Sequence, residues 1–173
     1  QVAFGQTTAE VSDTKAKAEQ GDAVAQLNLG LMYFRGKVVP QNDAEAVKWY
    51  RLAAEQGDTE AQLRISVMYF SGRGVRRNKA EAVKWMRVAA EHGYAEAQIG
   101  LGLMYIEGSG VPRNDAEAVK WFRLAAEQGD AKGQNYLGDV YRSRKDDLEA
   151  VKWLTLAAEQ GYVRAQNSLG VMI

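Results

Sequence analysis

One twelve-residue phrase is written four times in this chain: AVKWYRLAAEQG at 46–57, AVKWMRVAAEHG at 82–93, AVKWFRLAAEQG at 118–129 and AVKWLTLAAEQG at 150–161. The glycines that close it, with one more before the first copy, stand at 21, 57, 93, 129 and 161, so the steps are 36, 36, 36 and 32 residues. A fixed period of this length marks an array of stacked units. One unit cannot bury its apolar face alone, whereas a neighbour of the same shape can cover it.

Each unit reads as two helices. The second, B, opens with Asn42, Asn78 and Asn114, each followed three residues later by Glu45, Glu81 and Glu117, and Asp146 stands likewise before Glu149. This spacing predicts a capping box, with the cap side chain on an N3 backbone N–H and the Glu reaching back to the cap's own N–H. Ala46, Trp49, Tyr50 and Ala53 then share one helical face, which is expected to be buried. Trp49, Trp85, Trp121 and Trp153 recur with the unit and therefore read as packing residues. The Gly that ends each phrase supplies a left-handed residue that stops the helix. The first helix, A, is predicted to open at Asp22, Asp58 and Asp130, with Ala25, Gln26, Leu29, Gly30, Met32 and Tyr33 recurring in register. Gly30, Gly102, Gly138 and Gly170, with Ser66 in the second unit, predict close approach by a neighbouring helix, since a helical Gly costs about 1 kcal/mol relative to Ala. Val38 and Val39 replace the Gly74-Val75 and Gly110-Val111 of later loops, which predicts a different path for the first loop. The fourth loop, RSRKDD, has no glycine and should be tight.

Several function classes recede at this point. Lys+Arg 22 balances Asp+Glu 22, so no net basic field gathers nucleic acid. No apolar run approaches the ~20 residues that cross a bilayer, so the chain is expected to be soluble, without membrane insertion. Cysteine is absent, which removes disulfides and thiolate metal sites and leaves the redox compartment undecided. There is no H-E-x-x-H, no P-loop and no G-x-S-x-G, and neither a metal nor a cofactor is expected. Ser12-Asp-Thr-Lys15 matches S-x-x-K without an accompanying S-D-N or K-T-G and reads as chance. His92 stands in the column of Gln20, Gln56, Gln128 and Gln160 and reads as a helix-end substitution. The start at Gln1 without Met reads as a processed or recombinant fragment.

The pattern A-x-A-Q-x-x-L-G-x-M-Y-x-x-G-x-G-V, followed by E-A-V-K-W and A-A-E-Q-G, resembles the Sel-one-like repeat family, relatives of the tetratricopeptide repeats, over residues 18–173. The resemblance implies an all-α, right-handed α-solenoid of antiparallel helix pairs, with about four 36-residue repeats, the last of 32. Residues 1–8 are then a non-repeat segment, disordered or folded back over the first unit, and 9–173 form the array, with an incomplete final repeat from 162. It also implies a non-catalytic adaptor that holds a protein or peptide, and it favours an exported bacterial location, periplasmic or secreted. The rival class is an enzyme, because cysteine-rich members of the family have been linked with β-lactam binding or hydrolysis.

In tetratricopeptide-like solenoids helix A lines the concave surface. By resemblance the partner stripe maps to Val24, Leu27, Leu31 and Phe34, then Glu60, Leu63, Val67 and Phe70, then Glu96, Ile99, Leu103 and Ile106. In the fourth unit it becomes Lys132, Asn135, Asp139 and Arg142, so an apolar stripe turns polar. If these side chains pack on the next A helix they are core instead, and both readings stand at this stage. Asn28, Arg64, Gly100, Tyr136 and Ser168, one position further round, are second candidates. The loop cluster Arg73, Arg76, Arg77 and Lys79 is a third, suited to an acidic partner. A monomer is expected, with a homodimer through the unpaired helix at NSLGVMI as the alternative.

Overall fold

The computed structural model describes residues 8–172, with side chains from 9 to 171. It consists of helices α1 Thr8–Glu19, α2 Ala23–Arg35, α3 Asp43–Glu55, α4 Thr59–Ser71, α5 Lys79–Glu91, α6 Ala95–Glu107, α7 Asp115–Glu127, α8 Ala131–Ser143, α9 Asp147–Glu159 and α10 Val163–Met172, with no strand among the described residues. The even-numbered helices from α2 onward are of A type and the odd-numbered ones of B type. Residues 1–7 of the expected non-repeat segment lie outside the described residues, and Thr8 already opens α1. No described helix is long and apolar enough to cross a membrane.

The B helices begin as their sequence predicts, with one change. The side chains of Asn42, Asn78, Asn114 and Asp146 accept from the backbone N–H of Glu45, Glu81, Glu117 and Glu149 at 3.0 to 3.3 Å. The reciprocal half of the box is not formed, because each cap N–H is already donated across the loop to the carbonyl of Tyr33, Tyr69, Tyr105 or Tyr141 at 2.9 to 3.0 Å. The freed Glu side chains pair instead with Lys48, Lys84, Lys120 and Lys152, one turn on. Asp22, Asp58 and Asp130 cap α2, α4 and α8 as expected, while Tyr94 opens α6 without a side-chain cap.

The chain divides into two compact units, Gln1–Val88 and Ala89–Ile173. In the first, α2 packs on α1 and α3, and α3 on α4. Its core gathers Ala46, Val47, Tyr50, Ala53 and Ala54 of α3 with Ala61, Ile65 and Met68 of α4. In the second, α6 to α10 pack each on the next, and α6 also touches α8. The residue after each Trp, Tyr50, Met86, Phe122 or Leu154, is more deeply buried than the Trp itself, and Trp85 and Trp121 are only half-buried.

Glycine on helix A admits these large residues. A Cβ on Gly30 would stand 2.6 Å from the Tyr50 ring, one on Gly102 2.5 Å from Phe122 and one on Gly138 2.7 Å from Leu154. In the second repeat Ser66 replaces the glycine, and its hydroxyl donates to the carbonyl of Ala82 at 2.7 Å. Gly74 answers a different demand. It is left-handed, φ 66°, and a Cβ there would lie 2.2 Å from the carbonyl oxygen of Asp43. Val38 holds the same place in the first loop without a positive φ, so that loop does take its own path. The fourth connection spans only residues 144–146, and Lys145 takes the left-handed turn, φ 61°.

Three stability outcomes follow. Gly102→Val should cost about 1–3 kcal/mol through overpacking on Phe122 in chemical denaturation. Gly170, contrary to the close approach expected there, has no neighbouring helix within 4 Å of an added Cβ among the described residues, so Gly170→Ala should cost nothing in the same denaturation and gain up to about 1 kcal/mol. The third concerns Tyr50, whose buried hydroxyl has no hydrogen-bond partner among the described residues and whose phenol is pushed by burial from 10.0 up to about 12. The folded state keeps this proton while the unfolded chain releases it near pH 10, so the group's stability is complete below pH 10 and lost as pH rises toward 12. Tyr50→Phe should be at least as stable as wild type near neutrality and should lose less stability above pH 10, read from denaturation midpoints on both sides of that pH.

Candidate partner-binding face

The A helices present their stripe unevenly. Leu27, Leu31 and Phe34 of α2 are half-buried and rest against the core cluster around Tyr50. On α4, Leu63 is only 6% exposed while Val67, one turn on, is 49% exposed. Phe70 is half-buried, with the Lys79 ammonium 5.3 Å from its ring centre. On α6, Ile99 is buried, and Leu103 and Ile106 are half-buried. On α8, Asn135 is completely buried, Asp139 half-buried and Arg142 exposed. Leu63, Ile99 and Asn135 are therefore not surfaces open to a partner, contrary to the stripe drawn from sequence. They sit on the edge of the helix face that turns inward; Val67 and Arg142 are the exposed members among these, and the others, from Leu27 to Asp139, are half-buried.

The second-choice column is equally mixed. Asn28 is exposed. Arg64 is half-buried and held by Glu60, Nε to Oε1 at 2.8 Å, a pair one turn apart. Tyr136 is half-buried and stacked on Phe122 at 5.2 Å between ring centres.

The basic loop cluster is mostly spoken for. Arg73 forks onto Asp43 of α3 at 3.0 and 3.1 Å, with its guanidinium 4.5 Å from the Phe34 ring centre. Arg77 Nε donates to the carbonyl of Phe70 at 3.1 Å, and Lys79 covers the Phe70 ring. Arg76 is exposed beside an open depression of about 410 Å³ lined by Tyr69, Val75, Arg77, Asn78 and Glu81. Arg73 thus docks the loop on the preceding helix pair, Arg77 and Lys79 tie it to α4, and Arg76 stays exposed.

Sequence reasoning passed over one polar device. Gln26, Gln62, Gln98 and Gln134 are buried, and each Nε2 donates to an Ala carbonyl eight residues earlier, Ala18, Ala54, Ala90 or Ala126, at 3.1 to 3.3 Å. These carbonyls lie in the last turn of the preceding B helix, where the helix leaves acceptors unsatisfied. Gln56, Gln128 and Gln160 in turn donate to Gln26, Gln98 and Gln134 at 2.7 to 2.8 Å. The clue was the recurrence of a Gln in two columns, one of them inside an otherwise apolar helix face.

Helix pairs of near-constant length, keyed by a small residue and linked by buried amides, define a helical-repeat scaffold. The chain belongs to the Sel1-repeat family: the Sel1 repeat matches residues 23–58, 59–94, 95–130 and 131–162. It is similar to a protective antigen of uropathogenic Escherichia coli that displays an SLR fold, with 46% identity and a TM-score of 0.91, over 94% of this chain and 36% of that one. A Sel1 repeat protein from Oxalobacter formigenes is 37% identical, with a TM-score of 0.81, over 91% of this chain and 64% of that one. This chain thus spans about a third of the first relative and under two thirds of the second. The Helicobacter pylori cysteine-rich protein B shares the fold at 18% identity and a TM-score of 0.60, over 75% of this chain and 96% of that one. No curated protein matches in sequence.

The two neighbours on α4 give a direct check of which stripe members are open. Leu63→Asp should lower stability by several kcal/mol, since it buries an unpaired charge. Val67→Glu should stay within about 0.5 kcal/mol of wild type in the same denaturant titration.

Proposed function

We propose that this chain is a non-catalytic scaffold that holds a segment of another protein on the outward faces of its A helices. The observation that carries the reading is the contrast on those helices. The buried Gln-to-Ala-carbonyl bonds recur in every full repeat, whereas the outward members, Val67, Leu103, Asp139 and Arg142, differ from one repeat to the next. Val67 leaves about half of its surface in water in the middle of α4, near half-buried Phe70. Apolar surface in such a place suits a partner.

The enzyme alternative finds little support. Ser12 and Lys15 lie on the exposed side of α1, and the Lys15 ammonium is 3.9 Å from Glu19, with both side chains more than half exposed. A serine nucleophile needs a base held close in a protected setting. His92 is exposed just beyond α5, and among the described residues no group of three His, Cys, Asp or Glu is placed to hold a metal. An exported location rests on the resemblance to the E. coli protein described as a protective antigen.

Random peptides displayed on phage and selected on the immobilised protein test this. Enriched peptides should bind about tenfold or more weakly to Leu103→Glu or Ile106→Glu on α6 and equally well to Lys120→Gln or Lys152→Gln on the B helices. Absence of enrichment, or loss on the B-helix variants alone, would contradict the reading.

A further inference from the structure

The A-helix stripe changes character at α8. Its first-turn column reads Val24, Glu60, Glu96, Lys132 and Arg164, so two acids give way to two cations. The next three columns run Leu27, Leu63, Ile99 to Asn135, then Leu31, Val67, Leu103 to Asp139, then Phe34, Phe70, Ile106 to Arg142. The newcomers bond to one another. Asn135 Nδ2 donates to Asp139 Oδ2 at 3.0 Å, and Arg142 Nη2 donates to Asp139 Oδ1 at 3.1 Å. Arg164 of α10 brings Nη2 to 3.8 Å from Asp139 Oδ2, with its guanidinium 5.6 Å from the Tyr136 ring centre.

Helix packing does not ask for this network. Leu or Ile fills the Asn135 position in the three preceding repeats, and the fully buried Asn135 carries an Oδ1 that has no partner among the described residues. A buried, unsatisfied amide oxygen lowers stability. What it secures is the orientation of one carboxylate, which then aligns two guanidiniums. Arg142 and Arg164 remain 41% and 61% exposed, with N–H donors beyond those turned to Asp139. Lys132 lies on the same side of α8, about 15 Å along its axis from Arg142. Lys132, Arg142 and Arg164 against Asp139 and Glu96 leave this face at +1 in a chain whose total charge is balanced. Glu96 shares the column of Lys132 on α6, so the uncompensated charge concentrates at Arg142 and Arg164.

We propose that this face of the second unit docks an acidic segment of a partner protein. The segment's carboxylates meet Arg142 and Arg164, and its apolar side chains rest on half-buried Leu103 and Ile106 of the adjacent α6. Guanidiniums held in place by Asp139 suit a carboxylate, since a planar fork gives two parallel hydrogen bonds and little freedom remains to be lost on binding. The inference rests on the interaction-scaffold reading and names the chemistry of its partner.

Peptides selected from the unbiased random pool supply the probe. The tightest binder and its counterpart with every Asp and Glu replaced by Asn and Gln are labelled with fluorescein. Both are titrated by anisotropy against wild type, Lys132→Gln/Arg142→Gln/Arg164→Gln, and Asn135→Leu, with circular dichroism on each protein. The selected sequences should be rich in Asp and Glu. Affinity should fall about tenfold or more for the triple variant, and likewise for the amide peptide on wild type, and it should weaken with added salt. Asn135→Leu should melt higher than wild type yet bind the acidic peptide more weakly, an outcome that a purely structural Asn135 would not give. No excess of acids, or equal affinity for the acidic and amide peptides, would overturn the inference while binding that depends on Leu103 upholds the scaffold reading. Failure to select any peptide would overturn both.

Discussion

Each helix pair depends on how closely its two helices can approach, and that distance is set by a missing side chain. Where Gly30, Gly102 and Gly138 leave room, Tyr50, Phe122 and Leu154 enter. The helix propensity given up at each glycine, about 1 kcal/mol, is outweighed by burying a large side chain, about 1.5–3 kcal/mol for a Leu or Phe. Ser66 reaches the same end by a different route, satisfying its hydroxyl on the Ala82 carbonyl. Once that separation is fixed, the buried glutamines can reach the carbonyl ends of the preceding B helices and tie each pair to the one before within its unit. These contacts use the inner sides of the helices. The outward side of each A helix is left free to vary.

Much of this was legible in the sequence because it rests on local chemistry. An Asx residue three positions before a backbone N–H caps a helix wherever it occurs, and Asn42, Asn78, Asn114 and Asp146 all do so. The close helix approach at Gly30, Gly102 and Gly138 and the tight fourth loop were also visible, since each depends on residue size and loop length alone. The half of the capping box that failed depends on a partner outside the motif: the Tyr carbonyl across the loop competes for the cap N–H. The partner stripe was legible only as a set of columns. Leu63 and Val67 are both apolar and one turn apart, and only the neighbouring helices decide that one is covered and the other open. Arg73 belongs with Asp43, thirty residues earlier, a pairing that the run of basic residues around it conceals.

Asn135 shows how a repeat array exposes a position that its own packing does not explain. In an array, each column states what the scaffold requires, so a departure that lowers stability and is not needed for packing stands out against its own neighbours. Asn135, Asp139, Arg142 and Arg164 depart together and form one connected group. Their connection is what the proposed docking site rests on.

Repeated contacts build the scaffold, and we propose that the outward A-helix faces of the second unit do the binding. Hydrogen–deuterium exchange of the protein with and without a saturating selected peptide tests it most directly. The account predicts slowed exchange in α6, α8 and α10, with α7 and α9 unchanged. Protection confined to the B helices, or spread evenly through the chain, would contradict it.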